Sequence, residues 1–163
     1  MSTNLSPSDP SETESFGESN PEYLSFSVGG QWFGIRVLEV QDVLACRNVA
    51  PIPLSSPEIA GSINLRGRIV TVIDMRVKLG IEPAPEDMQQ MNVVIDYHDE
   101  AYSLLVDEVG DVLPLKESDY EPTPVTLDQH LRELTDGLFR LENTLLLVLD
   151  VEQLIGLKEQ QAA

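Results

Sequence analysis

Catalysis needs a nucleophile, a base and a group to orient the base, and few residues here could fill those roles. Cys46 is the one cysteine. It lies on a mostly apolar segment without a companion motif, the setting of a packing residue rather than an activated thiol. The two histidines, His98 and His130, fall in a turn and in a polar stretch beside Asp128 and Glu133. Together with Cys46 they are too widely spaced for a zinc signature. Asp96, Asp99 and Glu100 cluster around one turn but lack the residue order of a calcium loop. No glycine-rich stretch could cradle a phosphate. The chemistry points away from an enzyme, and neither cofactor nor metal is expected. What remains is charge. Half of the ten bases (Arg47, Arg66, Arg68, Arg76 and Lys78) fall in residues 43–81, which carry a net +3. Such a stretch either pairs with the chain's own acids or faces an acidic partner.

The elements that position these residues belong to a chain of 163 residues, 42% of them hydrophobic, with a net charge of −18. The length suits one domain or two small ones. A surface so acidic repels phosphates, which argues against nucleic acid and anionic membrane as partners. One cysteine excludes an internal disulfide and suits a reducing compartment. The start shows no basic segment followed by an apolar run, so no signal peptide is expected. The longest apolar run, Leu145–Leu149, is far short of the roughly 20 residues that span a bilayer. A soluble, cytoplasmic protein is the expectation.

Residues 1–21 are rich in Ser, Pro, Glu and Asn, with Phe16 the one aromatic. They cannot bury enough apolar area to offset their ordering entropy, so they read as a disordered acidic tail. From Tyr23, Leu24, Phe26 and Val28 alternate with serines, the period of a half-buried strand. Gly29-Gly30 then turns the chain into Phe33, Ile35 and Val37, which predicts a hairpin. Val37–Leu44 has helix-like spacing over a short length. Val49–Leu54 holds Pro51 and Pro53 and reads as an edge strand or connector. Two strands, Ser62–Arg66 and Arg68–Asp74, meet at Gly67, and a helical turn at Met75–Leu79 ends at Gly80.

The pattern then repeats. A shift of 69 places lays Tyr23–Leu44 on Asn92–Leu113 without a gap, matching Val37, Glu39, Val40, Asp42, Val43 and Leu44 to identical residues. A shift of 76 lays Gly61–Gly80 on Gly137–Gly156. The difference of seven places an insertion before Gly137. Two ungapped blocks in the same order indicate a duplication, with repeats at about 23–82 and 92–157. Short strands and frequent turns predict an all-β fold of two small five-stranded barrels, with short helical turns and a short C-terminal helix around Val151–Leu157. Strands can cross between the units, so sequence halves need not equal spatial barrels.

The run from Gly61 to Arg76, with its Asn64-Leu65-Arg66-Gly67 turn followed by Ile69–Asp74, closely resembles the CheW family of bacterial chemotaxis coupling proteins. Val40-Gln41-Asp42-Val43 and Val106-Asp107-Glu108-Val109 stand where that family has similar motifs. The resemblance covers about 22–158 and leaves out the tails at 1–21 and 159–163. It implies two SH3-like barrels and a non-catalytic adaptor. It also implies two partners, the regulatory domain of a CheA-type histidine kinase and the cytoplasmic tips of methyl-accepting chemoreceptors. Localisation would be cytoplasmic, at membrane-associated receptor arrays. Carried over by position, a receptor groove is lined around Val37, Val40 and Val43, with Val109 opposite. Arg66 lies beside it on the tip formed with Asn64, Leu65 and Gly67, and Gly61 belongs to the same motif. Asp42 departs from the Glu of many relatives, which shortens the reach of an ion pair from this position. Asp42 is nevertheless the candidate partner for Arg66. An adaptor of a non-chemotaxis array for pili or surface attachment, and a small carboxylate-based hydrolase, are the alternatives.

Overall fold

The computed structural model describes residues 20–46 and 48–155. Most of the tail expected at 1–21, and all of the one at 159–163, lie outside them. The strands are β1 (Glu22–Val28), β2 (Gln31–Arg36), β3 (Val40–Ala45), β4 (Ile59–Leu65) and β5 (Arg68–Asp74), then β6 (Met91–Tyr97), β7 (Glu100–Val106) and β8 (Glu108–Pro114). The short β9 (Tyr120–Glu121) precedes β10 (Thr135–Arg140) and β11 (Leu145–Leu149). Two short helices, α1 (Met75–Lys78) and α2 (Gln129–Leu134), complete the set, with a helical segment over residues 151–155.

The strands form two sheets, ordered β9-β10-β11-β2-β1-β8 and β4-β5-β7-β6-β3. Each hairpin has changed places. The first repeat's β1–β2 sits between β11 and β8, while the second repeat's β6–β7 sits between β5 and β3. Under the two shifts found in the sequence, the orders coincide apart from β9. Both sheets contain one parallel pair, β11 with β2 and β5 with β7, and these too are repeat equivalents.

The exchange explains the core. Leu24, Phe26, Phe33 and Ile35 of one hairpin share a single cluster with Val93, Ile95, Tyr102 and Leu104 of the other, and these are equivalent positions. Fully burying each such side chain is worth about 1.5–3 kcal/mol, so the two repeats are bound by their main hydrophobic store. Two smaller clusters lie on the other faces. One gathers Ile63, Val70, Val72, Val94, Ala101 and Leu105; the other gathers Tyr23, Phe139, Leu146 and Val148.

Several sequence expectations need correction. The strand read as half-buried is buried on both faces, because β1 lies between β2 and β8 with a cluster on either side. Its serines are 5% exposed; Ser25 Oγ donates to the Asp111 carbonyl at 2.8 Å. The helix-like spacing after Val37 gives one 3₁₀ turn, Val37–Glu39, and then β3. Arg66 lies in the β4–β5 turn rather than in the strand. Val49–Leu54, read as an edge strand or connector, is a connector that bridges from Ala50 to Ser62. The insertion before Gly137 builds β9 and α2, which strand periodicity did not reveal.

Candidate functional site

The β4–β5 hairpin turns through Arg66 and Gly67, both with positive φ, +52° and +83°. Both central residues must be left-handed in a tight turn that follows the twist of its strands, which suits glycine and costs any other residue about 1–2 kcal/mol. Asn64 holds the turn by accepting the Gly67 N–H on Oδ1 at 3.1 Å. Arg66 then reaches Asp42, with Nη1 to Oδ2 at 2.8 Å. Asp42 sits where the β3–β6 register shifts, between Val40 and Asp42. A bulge of this kind re-aims a side chain, and the Asp42 carboxylate also accepts the Val43 N–H at 2.9 Å.

This ion pair joins opposite edges of one sheet. β3 and β4 are its two outer strands, yet Arg66 and Asp42 meet, and Ala50, just past β3, bridges to Ser62 on β4. The sheet is therefore strongly curled. Gly61 makes the approach possible, because a Cβ there would collide with the Ala50 carbonyl. Its part is backbone packing. The Arg66 side chain remains 75% exposed and that of Asp42 25%. Beside the tip, Ile69 is 69% exposed. The hairpin thus exposes an ion-paired guanidinium beside an apolar side chain.

The four valines are all half-buried against the central cluster. Val37 lies in the 3₁₀ turn, Val40 and Val43 on β3, and Val109 on β8. Val37 lines a cavity of about 570 Å³ with Leu38 and Pro114, whereas Val109 lines another of about 710 Å³ with Met88 and Met91. Asn64 and Gly67 are exposed and Leu65 half-buried at the tip. The structure thus unites Asp42, Asn64, Leu65, Arg66 and Gly67, and places Val37 and Val109 in different cavities.

A second Arg–Asp pair was not singled out from sequence. Arg76, on α1, grips Asp107 with Nε to Oδ1 at 2.9 Å and Nη2 to Oδ2 at 2.7 Å. The side chains are only 11% and 10% exposed. Gly29 N–H donates to the same carboxylate at 2.8 Å, and Arg76 Nη1 donates to the Glu82 carbonyl at 2.7 Å. Burial alone would raise the Asp107 pKa. The hydrogen bonds from Arg76 and Gly29, with the Arg76 charge, outweigh it and hold the carboxyl below its ordinary value. The clamp ties the β1–β2 turn, α1 and the β7–β8 junction together. A signal for it existed, since Asp107 aligns with Leu38 and Arg76 with Glu152. Where matching repeats keep neither member of a pair, the interaction is made on one side only.

Cys46 is half-buried beside a core cluster, and burial raises its thiol pKa, away from reactivity. His98 and His130 are exposed. Among the described residues, no group of three His, Cys, Asp or Glu could hold a metal, and no helix is long and apolar enough to cross a membrane.

The family model for the CheW-like domain matches residues 22–159. The chain belongs to the CheW family. Among curated relatives, the chemotaxis protein CheW of Klebsiella aerogenes is 32% identical over 138 residues, covering 85% of this chain and 83% of its own. The chemotaxis protein CheW of Rhizobium meliloti is 26% identical over 142 residues, covering 87% and 92%. The crystal structure of the scaffolding protein TtCheW from Thermoanaerobacter tengcongensis superposes with a TM-score of 0.72 at 25% identity, over 80% of this chain and 89% of that one. This CheW-family chain accordingly has a mostly β fold whose two sheets, of six and five strands, match the two subdomains expected of it.

Proposed function

We propose that this chain is a chemotaxis adaptor that couples chemoreceptors to a CheA-type histidine kinase without catalysing a reaction itself. The observation that carries the reading is the β4–β5 tip. Arg66 adopts a strained backbone conformation and stays mostly exposed while Asp42 holds its guanidinium. An arginine presented in this way can engage a partner carboxylate with two parallel hydrogen bonds. Asn64, Leu65 and Gly67 shape the tip, and Gly61 lets the sheet curl behind it. Val37, Val40 and Val43 supply half-buried apolar surface for a receptor helix, while Val109 lines a separate cavity and is not part of the same groove. The regulatory domain of the kinase and the cytoplasmic receptor tip are the two partners. The working location is the cytoplasmic face of a receptor array.

The test is reconstitution. Adding the protein to receptor-containing membranes and the kinase should change autophosphorylation in a way that responds to receptor ligand. Kinase output indifferent to the protein, together with turnover of a small substrate by the purified chain, would overturn the reading.

A further inference from the structure

The duplication supplies an internal comparison for the clamp. At the positions equivalent to Arg76, Asp107 and Gly29, the chain carries Glu152, Leu38 and His98. On one side the two-pronged ion pair and Gly29 line a cavity of about 710 Å³. On the other, where Glu152 replaces the arginine, a groove of about 740 Å³ lies between the end of β1–β2, the end of β6 and the helical segment at 151–155. Its walls include Tyr23, Tyr97, Tyr120 and Phe139, and its rim includes Glu39 and Glu152. Among the described residues lining it, Arg36 is the one cation.

We propose that this groove docks an arginine-bearing segment of a partner protein. Arg36 already shows the chemistry. Its guanidinium lies 5.6 Å from the Tyr23 ring centroid, and its Nε donates to Tyr23 Oη at 3.2 Å. Aromatic faces attract cations, most strongly when partly desolvated. The charge agrees, since Asp96, Asp136 and Asp150 line the same groove and would draw a basic segment from solution. A second copy of a chain with net charge −18 is disfavoured by repulsion. Tyr23 is buried under Arg36, but the half-buried Tyr97 and Tyr120 with the acidic rim offer an arginine stacking and ion pairing. Arginine and tyrosine are among the residues that dominate interface energies. The groove's lining excludes Arg66 and Asp42, although its Asp96 reaches Arg68 of the same hairpin at 3.9 Å. Peptide binding is read on the chain alone, so the adaptor reading stands or falls without it.

The probe is an acetylated, amidated peptide carrying two arginines and two leucines, with a twin in which citrulline replaces both arginines. Each is titrated into the isotope-labelled full chain while amide signals are followed. The arginine peptide should shift Tyr97, Val151 and Glu152 saturably, and the neutral twin should bind at least about tenfold more weakly. Glu39→Gln with Glu152→Gln should weaken the arginine peptide at least about fivefold. Glu86→Gln with Asp87→Asn removes the same charge from the linker and should change binding less than about twofold. Shifts spread over the acidic surface, equal binding of the twin, equal effects of the two charge-removing pairs, or no saturable shift would each overturn the proposal.

Discussion

Two pairs of the same chemistry, Arg76–Asp107 and Arg66–Asp42, stand in opposite environments. The first is nine-tenths buried, two-pronged and backed by a backbone N–H. The second makes one short contact, with its arginine 75% exposed. A desolvated pair is costly to break because its survivor is left charged and unpaired. An exposed pair exchanges freely with water, so its members can turn to a partner at little loss. Contact distance does not separate the two, since 2.7 and 2.8 Å are alike. Environment separates structure from function here.

The largest expected effect is on the buried pair. Arg76→Ala strands Asp107 and should cost about 3–5 kcal/mol in urea unfolding. A loss below about 1 kcal/mol would show that Arg76 behaves like a surface residue and would end the contrast. Glu58 offers a third case, a carboxylate that is 8% exposed and whose Oε2 has no hydrogen-bond partner among the described residues. Its repeat equivalent is Leu134, 3% exposed. An unsatisfied buried polar group costs about 1–3 kcal/mol, so Glu58→Leu should raise stability by about 2 kcal/mol. An unfolding midpoint at or below wild type would place Glu58 among the satisfied acids.

The pH dependence sharpens the same contrast. Asp107 is held below its ordinary value of 3.8 in the fold. Its contribution is therefore complete above that value and is lost as pH falls through the lower, folded one. Acid titration of stability below about pH 4 should be shallower in Asp107→Asn than in wild type. Each tenfold gap in proton affinity between the folded and unfolded chain corresponds to about 1.4 kcal/mol of that difference. Identical slopes would mean that the clamp carries no proton linkage. The smallest effect on stability belongs to Arg66→Ala, at most about 1 kcal/mol, while affinity for the receptor or kinase should fall about tenfold. Arg66→Gly should fold at least as stably, because the turn needs a positive φ, and should bind as weakly as the alanine variant. Wild-type affinity in both, or unfolding of the alanine variant, would remove the tip from the docking surface.

Much of this protein was legible in residue order alone. Alternation located the β1–β2 and β6–β7 hairpins, because a strand's side-chain period of two is written directly into the chain. The ungapped shifts revealed the duplication, and the family resemblance, not the spacing, offered Asp42 as the partner of Arg66, a pair that the fold makes. Burial was less legible. Ser25 and Ser27 look like solvent positions, yet both faces of β1 are covered, because only strand order decides what lies above and below a strand. The exchange of hairpins could not be read either, since repeats with the same pattern fit either sheet. The clamp depended on it. Arg76 and Asp107 are 31 residues apart in the chain, and they meet because β7 lies parallel to β5. Local residue order determined the elements, their turns and the charge each carries. Which elements share a face, and so which charges are buried together, was decided only by tertiary packing, because burying apolar surface rewards total area rather than sequence neighbourhood.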